Sequence, residues 1–477
     1  MGYNIRNDKL KIILLYSGEG DRMVNTIDLK RNAYNDLLDW KNNHNNKVLL
    51  VEGARQVGKT YLVKKFSNEN YKNVIYINLL EESGEDLLAI NEQIRQERLS
   101  GKLNRETTNS LKEMFRRYSN KFEDNEECVV IIDEIQESYK IYNMIRQFAR
   151  EFNTHFIMTG SYLGRVVMRK EFWSPMGDID FLEIKPLSFI EFIDASGLTK
   201  EYNELDLFGK SESEKYDLIY NKYKDYTVVG GYPEVVCEYL KNGIDKIDSL
   251  FEKLLRVFCE ESSRYFDGDI LTSRMFEDCI GAIVQTLISG KKGLKESSYG
   301  EELKNIITKQ YSSNISKENS NRALQWFYTS KFIKDCDKLV DFDFSNIKRR
   351  QRYFISDIGM ANYIMKKENI LKTEADGVIN ETFVYHCLNE KIEITPMFAV
   401  YGDGELDFVY RNRDNGYTYG IEVKSGKNIG KTITKCLEKG KINFAIYLKG
   451  MTKGGIADKI YTIPIYLFPK FEFKNIK

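Results

Sequence analysis

Apolar runs and amphipathic stretches alternate along the N-terminal part of the chain. Lys47–Glu52, Asn73–Leu79, Cys128–Ile132 and His155–Thr159 are short runs with few polar interruptions. Between them, Leu29–Asn42, Lys59–Phe66, residues 84–120 and Ile141–Phe152 read as helices. Unbroken apolar strands separated by helices predict a parallel sheet covered on both faces. Phe181–Ile184 reads as a fifth strand. The section from about residue 190 to 375 is mostly helical in pattern. Within it, Glu301–Tyr328 reads as two helical stretches and a turn leading into Lys331–Lys334, a winged-helix-like order that a plain helical packing module matches equally. After that the pattern becomes helix (Val378–Glu390), strand (Ile392–Val400), a hairpin of Leu406–Tyr410 and Tyr417–Lys424 around Arg413–Gly416, helix (Ile433–Lys439) and strand (Asn443–Leu448).

One stretch turns this pattern into chemistry. Gly53-Ala54-Arg55-Gln56-Val57-Gly58-Lys59-Thr60 matches G-x-x-x-x-G-K-[ST] without a mismatch, between a predicted strand and a predicted helix. In such a loop the glycines let successive N–H groups face an anion, and the helix adds the positive end of its dipole. Lys59 is the expected partner of the β- and γ-phosphates of ATP, and the Thr60 hydroxyl a ligand of Mg²⁺. Asp133 and Glu134 follow the third strand, where the first acid helps hold Mg²⁺ and the second acts on the attacking water. Thr159, ending the fourth strand, is a candidate sensor of the γ-phosphate, with Gln136 a weaker one.

Composition narrows the class. The 477 residues suffice for about three domains, with 42% apolar and 30% charged positions. Lys plus Arg and Asp plus Glu both number 71, so bulk charge makes no case for nucleic acid. Seven scattered cysteines without a CxxC read as free thiols in a reducing cytosol rather than as a zinc site or a disulfide framework. No run has the length of a membrane span, so the expectation is a cytoplasmic protein without a membrane partner. Ser17–Asp21 would be encoded by purine-rich codons just before Met23, which predicts a native start at Met23.

These segments resemble the bacterial and archaeal AAA-type ATPases that carry a C-terminal domain of unknown function, DUF4143. The resemblance rests on the glycine-rich loop, on Ile131–Gln136 and on Met158–Ser161. It extends to Pro186–Phe192, to Gly230-Gly231-Tyr232-Pro233-Glu234 and to Tyr353–Gly359. It implies four segments: an N-terminal extension (1–27), an ATPase core (28–195), a helical lid with a winged-helix-like region (196–375) and a nuclease-like domain (376–477). One departure stands out. A Gly-Arg pair expected before Pro186 is replaced by Met176-Gly177-Asp178, leaving Arg165, Arg169 or Arg55 to neutralise charge on the transferring phosphoryl group.

Toward the C-terminus, Asp407, Glu422 and Lys424 look like the D-x(n)-[DE]-x-K signature of the restriction-endonuclease-like fold. Glu381 on the preceding helix matches an additional acid often seen there. Positions two apart on a strand face one side, so Glu422 and Lys424 project together, with Asp407 opposite. Glu381, Asp407 and Glu422 are the expected metal ligands, and Lys424 the group that positions water or a phosphate. His386 reads as structural. An exposed hairpin face with a salt bridge would show the same residues. Two functions fit: an ATPase whose nucleotide state controls a DNA-directed nuclease-like domain, or a nucleotide-controlled protein-interaction switch with a non-catalytic C-terminal domain. The oligomeric state is left open.

Overall fold

A computed structural model describes residues 27–43, 45–104, 109–161, 175–266, 271–289, 299–311, 315–424 and 430–473. The Met23 start, Arg165 and Arg169 lie outside the described residues. The first sheet is built from β1 (Val48–Glu52), β2 (Asn73–Asn78), β3 (Cys128–Asp133), β4 (His155–Thr159) and β5 (Ile179–Glu183), all parallel, in the order β2-β3-β4-β1-β5. The central strands are buried along both faces, which is why they carry no alternation.

One face is closed by the helices Glu82–Leu99, Ser110–Tyr118 and Ile145–Glu151 around an aromatic group of Phe115, Phe148, Phe152 and Phe156. The helical pattern over 84–120 is two helices, and that over Ile141–Phe152 is a short helix, Tyr139–Tyr142, followed by Ile145–Glu151. The other face is continuous with the core of the rest of the protein.

A run of helices follows, from Phe189–Ala195 to Lys317–Thr329. The second sheet has eight strands, and two of them come from the section read as the helical lid. These are β6 (Ile333–Val340) and β7 (Ile347–Ile355), an antiparallel ribbon. The others are β8 (Met397–Tyr401), β9 (Gly404–Arg411), β10 (Thr418–Lys424), β11 (Phe444–Lys449), β12 (Gly455–Ala457) and β13 (Ile460–Pro464). The order is β12-β13-β11-β10-β9-β8-β6-β7, with β6 parallel to β8. The two helical stretches of the winged-helix-like pattern are present, but the segment after them opens a hairpin, β6 and β7, that forms a margin of the C-terminal sheet. It is the pairing of β6 with β8, 57 or more positions along the chain and invisible to local periodicity, that places it there. Helix Lys372–Lys391 packs on this sheet. Among the described residues no helix is long and apolar enough to cross a membrane.

Candidate functional site

The glycine-rich loop leaves the C-terminal end of β1 and enters helix Lys59–Asn70. Gly53 has φ 151° and passes so close to β5 that a Cβ would stand 2.2 Å from the Ile184 carbonyl oxygen. Gly58, the N-cap of the helix, has φ 89°, the left-handed region that disfavours any side chain. Lys59 lies along the inside of the loop. Its Nζ donates to the carbonyls of Gly53 (3.1 Å) and Ala54 (2.9 Å) and to Ser161 Oγ (2.8 Å). Burial pulls its pKa down to about 8, against the attraction of Glu134 and Asp133.

Because all five strands run the same way, the ends of β3 and β4 meet the loop. Thr60 Oγ1 donates to Asp133 Oδ2 at 2.8 Å, Tyr76 OH donates to the same oxygen at 2.8 Å, and the Thr159 hydroxyl donates to Asp133 Oδ1. Glu134 follows in a left-handed turn (φ 55°), and Gln136 donates to its carboxylate. The sequence-derived site from Gly53 to Thr60, with Asp133, Glu134 and Thr159, is therefore brought together at one sheet edge.

Two neighbours of this site carried no sequence signal. Arg31, at the start of the described chain, donates to the Val57 carbonyl at 3.0 Å and pairs with buried Glu191 at 3.3 Å. Beside it a groove of about 360 Å³ opens next to Gly58, lined by Leu29, Tyr61, Leu62, Pro233 and Cys237. Arg31, Glu234, Glu238 and Lys241 add charge to its lining, so it is an apolar floor with a charged rim beside the phosphate loop, where a nucleotide base could be held.

The flanks of the loop are tied to the remainder of the protein. Arg55 pairs with Glu261 of helix Ile247–Tyr265 at 2.5 Å, so this candidate to replace the missing arginine is engaged by the helical section. Glu52, the last residue of β1, pairs with Lys331 at 2.9 Å, and Glu183, the last of β5, with Lys334. Burial favours a neutral Glu183, but Lys334 and Lys331 outweigh it and hold its carboxyl below the ordinary value. Where the Gly-Arg pair was expected, Asp178 is buried and accepts Arg150 (3.0 Å) and Arg146 (3.4 Å).

Three segments quoted for the resemblance converge on a single joint. Leu187 N–H donates to the Gly231 carbonyl (2.7 Å), Gly231 N–H to Asp357 Oδ2 (2.6 Å) and Met360 N–H to Asp357 Oδ1 (2.7 Å). Burial pushes the Asp357 carboxyl up to about 6 although backbone N–H groups favour its charged form.

In the second sheet, Lys424 pairs with Glu422 at 2.6 Å. The β9–β10 ladder ends at Phe408 and Ile421, and two residues on, the Val423 N–H donates to the Asp407 side chain at 2.7 Å. The register between β8 and β9 shifts at this point, a bulge-like irregularity that re-aims Asp407. Glu422 Oε2 is buried without a hydrogen-bond partner. Burial and the Asp407 carboxylate push Glu422 up to about 7, against the pull of Lys424.

Among the described residues no group of three or more His, Cys, Asp or Glu stands together as a metal site. Glu381 instead feels Arg352 and Lys424, and Arg352 pairs with Glu405 at 2.8 Å. Asp407 and Glu422 remain together. His386 bonds the Ile355 carbonyl at 3.0 Å, and burial lowers its pKa to about 4.

Residues 45–193 match the family model of an AAA domain. No curated protein matches the chain. The solved Walker-type ATPase PABY2304 of Pyrococcus abyssi is 17% identical over 71% of this chain and 96% of its own, with a TM-score of 0.44. AMPPCP-bound DnaA from Aquifex aeolicus is 15% identical over 63% of this chain and 87% of its own (TM-score 0.28). The RuvB Holliday junction branch migration motor of Thermotoga maritima is 14% identical over 64% and 90% (TM-score 0.27). Residues 45–193 thus combine the match to an AAA domain with a parallel-sheet P-loop-type fold, and a C-terminal domain with a mixed sheet follows.

Proposed function

We propose that this protein binds and hydrolyses Mg-ATP at the Gly53–Thr60 loop and that its nucleotide state controls a nuclease-like, DNA-directed C-terminal domain. The domain limits proposed are an ATPase core over 28–195, a helical and winged-helix-like section over 196–375 and a nuclease-like domain over 376–477, the last drawing β6 and β7 from its neighbour.

In this reading Lys59 leaves its loop acceptors for the β- and γ-phosphates, and Glu134 takes the proton of the attacking water. Thr60 and Asp133, 2.8 Å apart, supply the oxygen donors that a small hard cation takes, and Mg²⁺ there would neutralise phosphate charge. In the C-terminal cluster, Asp407 and Glu422 fit a cation that keeps most of its shell as water, consistent with the orphaned Glu422 Oε2. Lys424 would orient the attacked phosphate.

The observation that carries the reading is the pair of ion pairs flanking the loop, Glu52–Lys331 and Arg55–Glu261. They join the nucleotide site to the helical section and to the turn that enters β6. The test is paired. Purified full-length protein should hydrolyse ATP and lose this with Lys59→Ala or Glu134→Gln. It should nick DNA with Mg²⁺ or Mn²⁺ and lose this with Asp407→Ala or Lys424→Ala. ATP turnover without nucleic-acid cleavage would leave the interaction switch, a reading favoured by the Lys424–Glu422 and Arg352–Glu405 pairs that neutralise the cluster internally.

A further inference from the structure

Strand β7 is one of the two edges of the eight-stranded sheet. A half-buried strand alternates buried and exposed positions, but Lys348, Arg349, Arg350 and Gln351 are all exposed. The ribbon of β6 and β7 therefore offers a basic run to solvent. Its arginines are held from below. Asp337, 1% exposed, pairs with Arg349 at 2.5 Å, and Asp335 with Arg350 at 3.7 Å, while the arginine side chains remain 69% and 47% exposed.

The run continues onto a helix. Arg350 lies over the Tyr328 ring (4.5 Å) and donates to Gln325 at 3.4 Å. Gln325 belongs to helix Lys317–Thr329, on which Lys317, Glu318, Asn321 and Arg322 are also exposed, Lys317 pairing with Glu301 at 3.8 Å. Toward the sheet interior, Lys348 stands opposite Lys338, and Arg352 pairs with Glu405, two residues before Asp407. Cations and amide side chains of the strand and the helix thus neighbour one another at the surface, with Glu318 the exposed acid beside them, and the largely buried Arg352–Glu405 pair leads inward from the strand toward Asp407.

We infer that this surface docks a DNA duplex, with Lys348, Arg349 and Arg350 on the phosphates and Asn321, Arg322 and Gln325 of the helix toward the groove. Charge on an edge strand also deters pairing with another chain. That need ends with the strand, whereas this surface extends across a helix and carries the amide groups that read base edges. Guanidinium groups fixed at their inner side and open at their outer one suit phosphate recognition. In a chain of zero net charge such a local patch is what a polyanion can find.

The inference rests on the nucleic-acid-directed reading of the C-terminal domain, so binding and cleavage are measured separately. Full-length protein is titrated onto a short fluorescent DNA duplex in EDTA without ATP, with single-stranded DNA and duplex RNA in parallel. Lys348→Glu with Arg322→Glu should weaken duplex binding at least tenfold and flatten its salt dependence. ATP affinity and thermal midpoint should stay as in the wild type. Lys348→Gln with Arg322→Gln, which removes charge without reversing it, should fall between. Absence of duplex binding at low salt, equal affinity of wild type and the double-Glu variant, or tighter binding of single strands overturns the inference. Duplex binding without cleavage removes only the nuclease reading.

Discussion

Asp357 accepts the Gly231 N–H at 2.6 Å across 126 positions of sequence, and this bond holds the end of one helix, Ser213–Val229, against the start of another, Ile358–Lys367. Gly230 adopts φ 66°, and a Cβ there would stand 2.4 Å from Asp357 Oδ1. Gly231 is equally confined, 2.2 Å from the Leu187 carbonyl oxygen by the same measure. The joint has room for two glycines and one carboxylate and for little else.

Gly230→Ala combines a left-handed φ with a steric collision and should cost about 2–4 kcal/mol. Asp357→Ala leaves two buried N–H groups without acceptors and should cost about 2–4 kcal/mol as well. Urea unfolding reads both, and a loss below about 1 kcal/mol in either would show that the joint is plastic.

The sign for Asp357 follows from its raised pKa. The folded state binds the proton more tightly than the unfolded one, so this residue's contribution to stability is greatest below the unfolded value. It declines as pH rises to about 6 and is constant above that. Asp357→Asn should therefore flatten the stability profile between about pH 4 and 6 relative to wild type, as followed by denaturant midpoints.

Lys59, with a pKa lowered to about 8, is charged at neutral pH and loses its proton earlier than an exposed lysine would. A bound triphosphate favours the charged form, so nucleotide binding above pH 8 takes up a proton. Affinity should be level below pH 8 and fall by up to about tenfold per pH unit above it. Calorimetric titration with a non-hydrolysable analogue checks this, and a level profile to pH 10 would remove Lys59 from the phosphate site.

Glu134→Gln should lower ATP turnover by about 10²–10⁴ while leaving nucleotide affinity within a few-fold. Equal losses in both would reassign Glu134 from the water to the nucleotide.

Arg55→Ala and Glu261→Ala form a cycle that tests the link between the loop and the helical section. The two side chains are partly buried, at 36% and 18% exposure, so their coupling in nucleotide affinity should reach about 0.5–1 kcal/mol. Additive losses would mean that nucleotide state does not travel by this pair.

The sequence by itself determined the nucleotide site, because all of its parts obey local rules. A buried parallel strand must be apolar throughout, a loop around phosphate needs glycine at fixed offsets, and an acid at the end of such a strand faces the loop. The nearby hairpin placed Asp407 beside Glu422 and Lys424 for the same reason. Only the tertiary structure decided the rest. Arg31 reaches Glu191, Glu52 reaches Lys331 and Gly231 reaches Asp357 across 126 or more positions. The pairing of β6 with β8 draws the ribbon into the C-terminal sheet, and Arg352 of that ribbon is brought to Glu405 in the same way. Contacts at such separations are set by how the packed layers meet, and hydrophobic periodicity records which face of an element is buried but not what buries it.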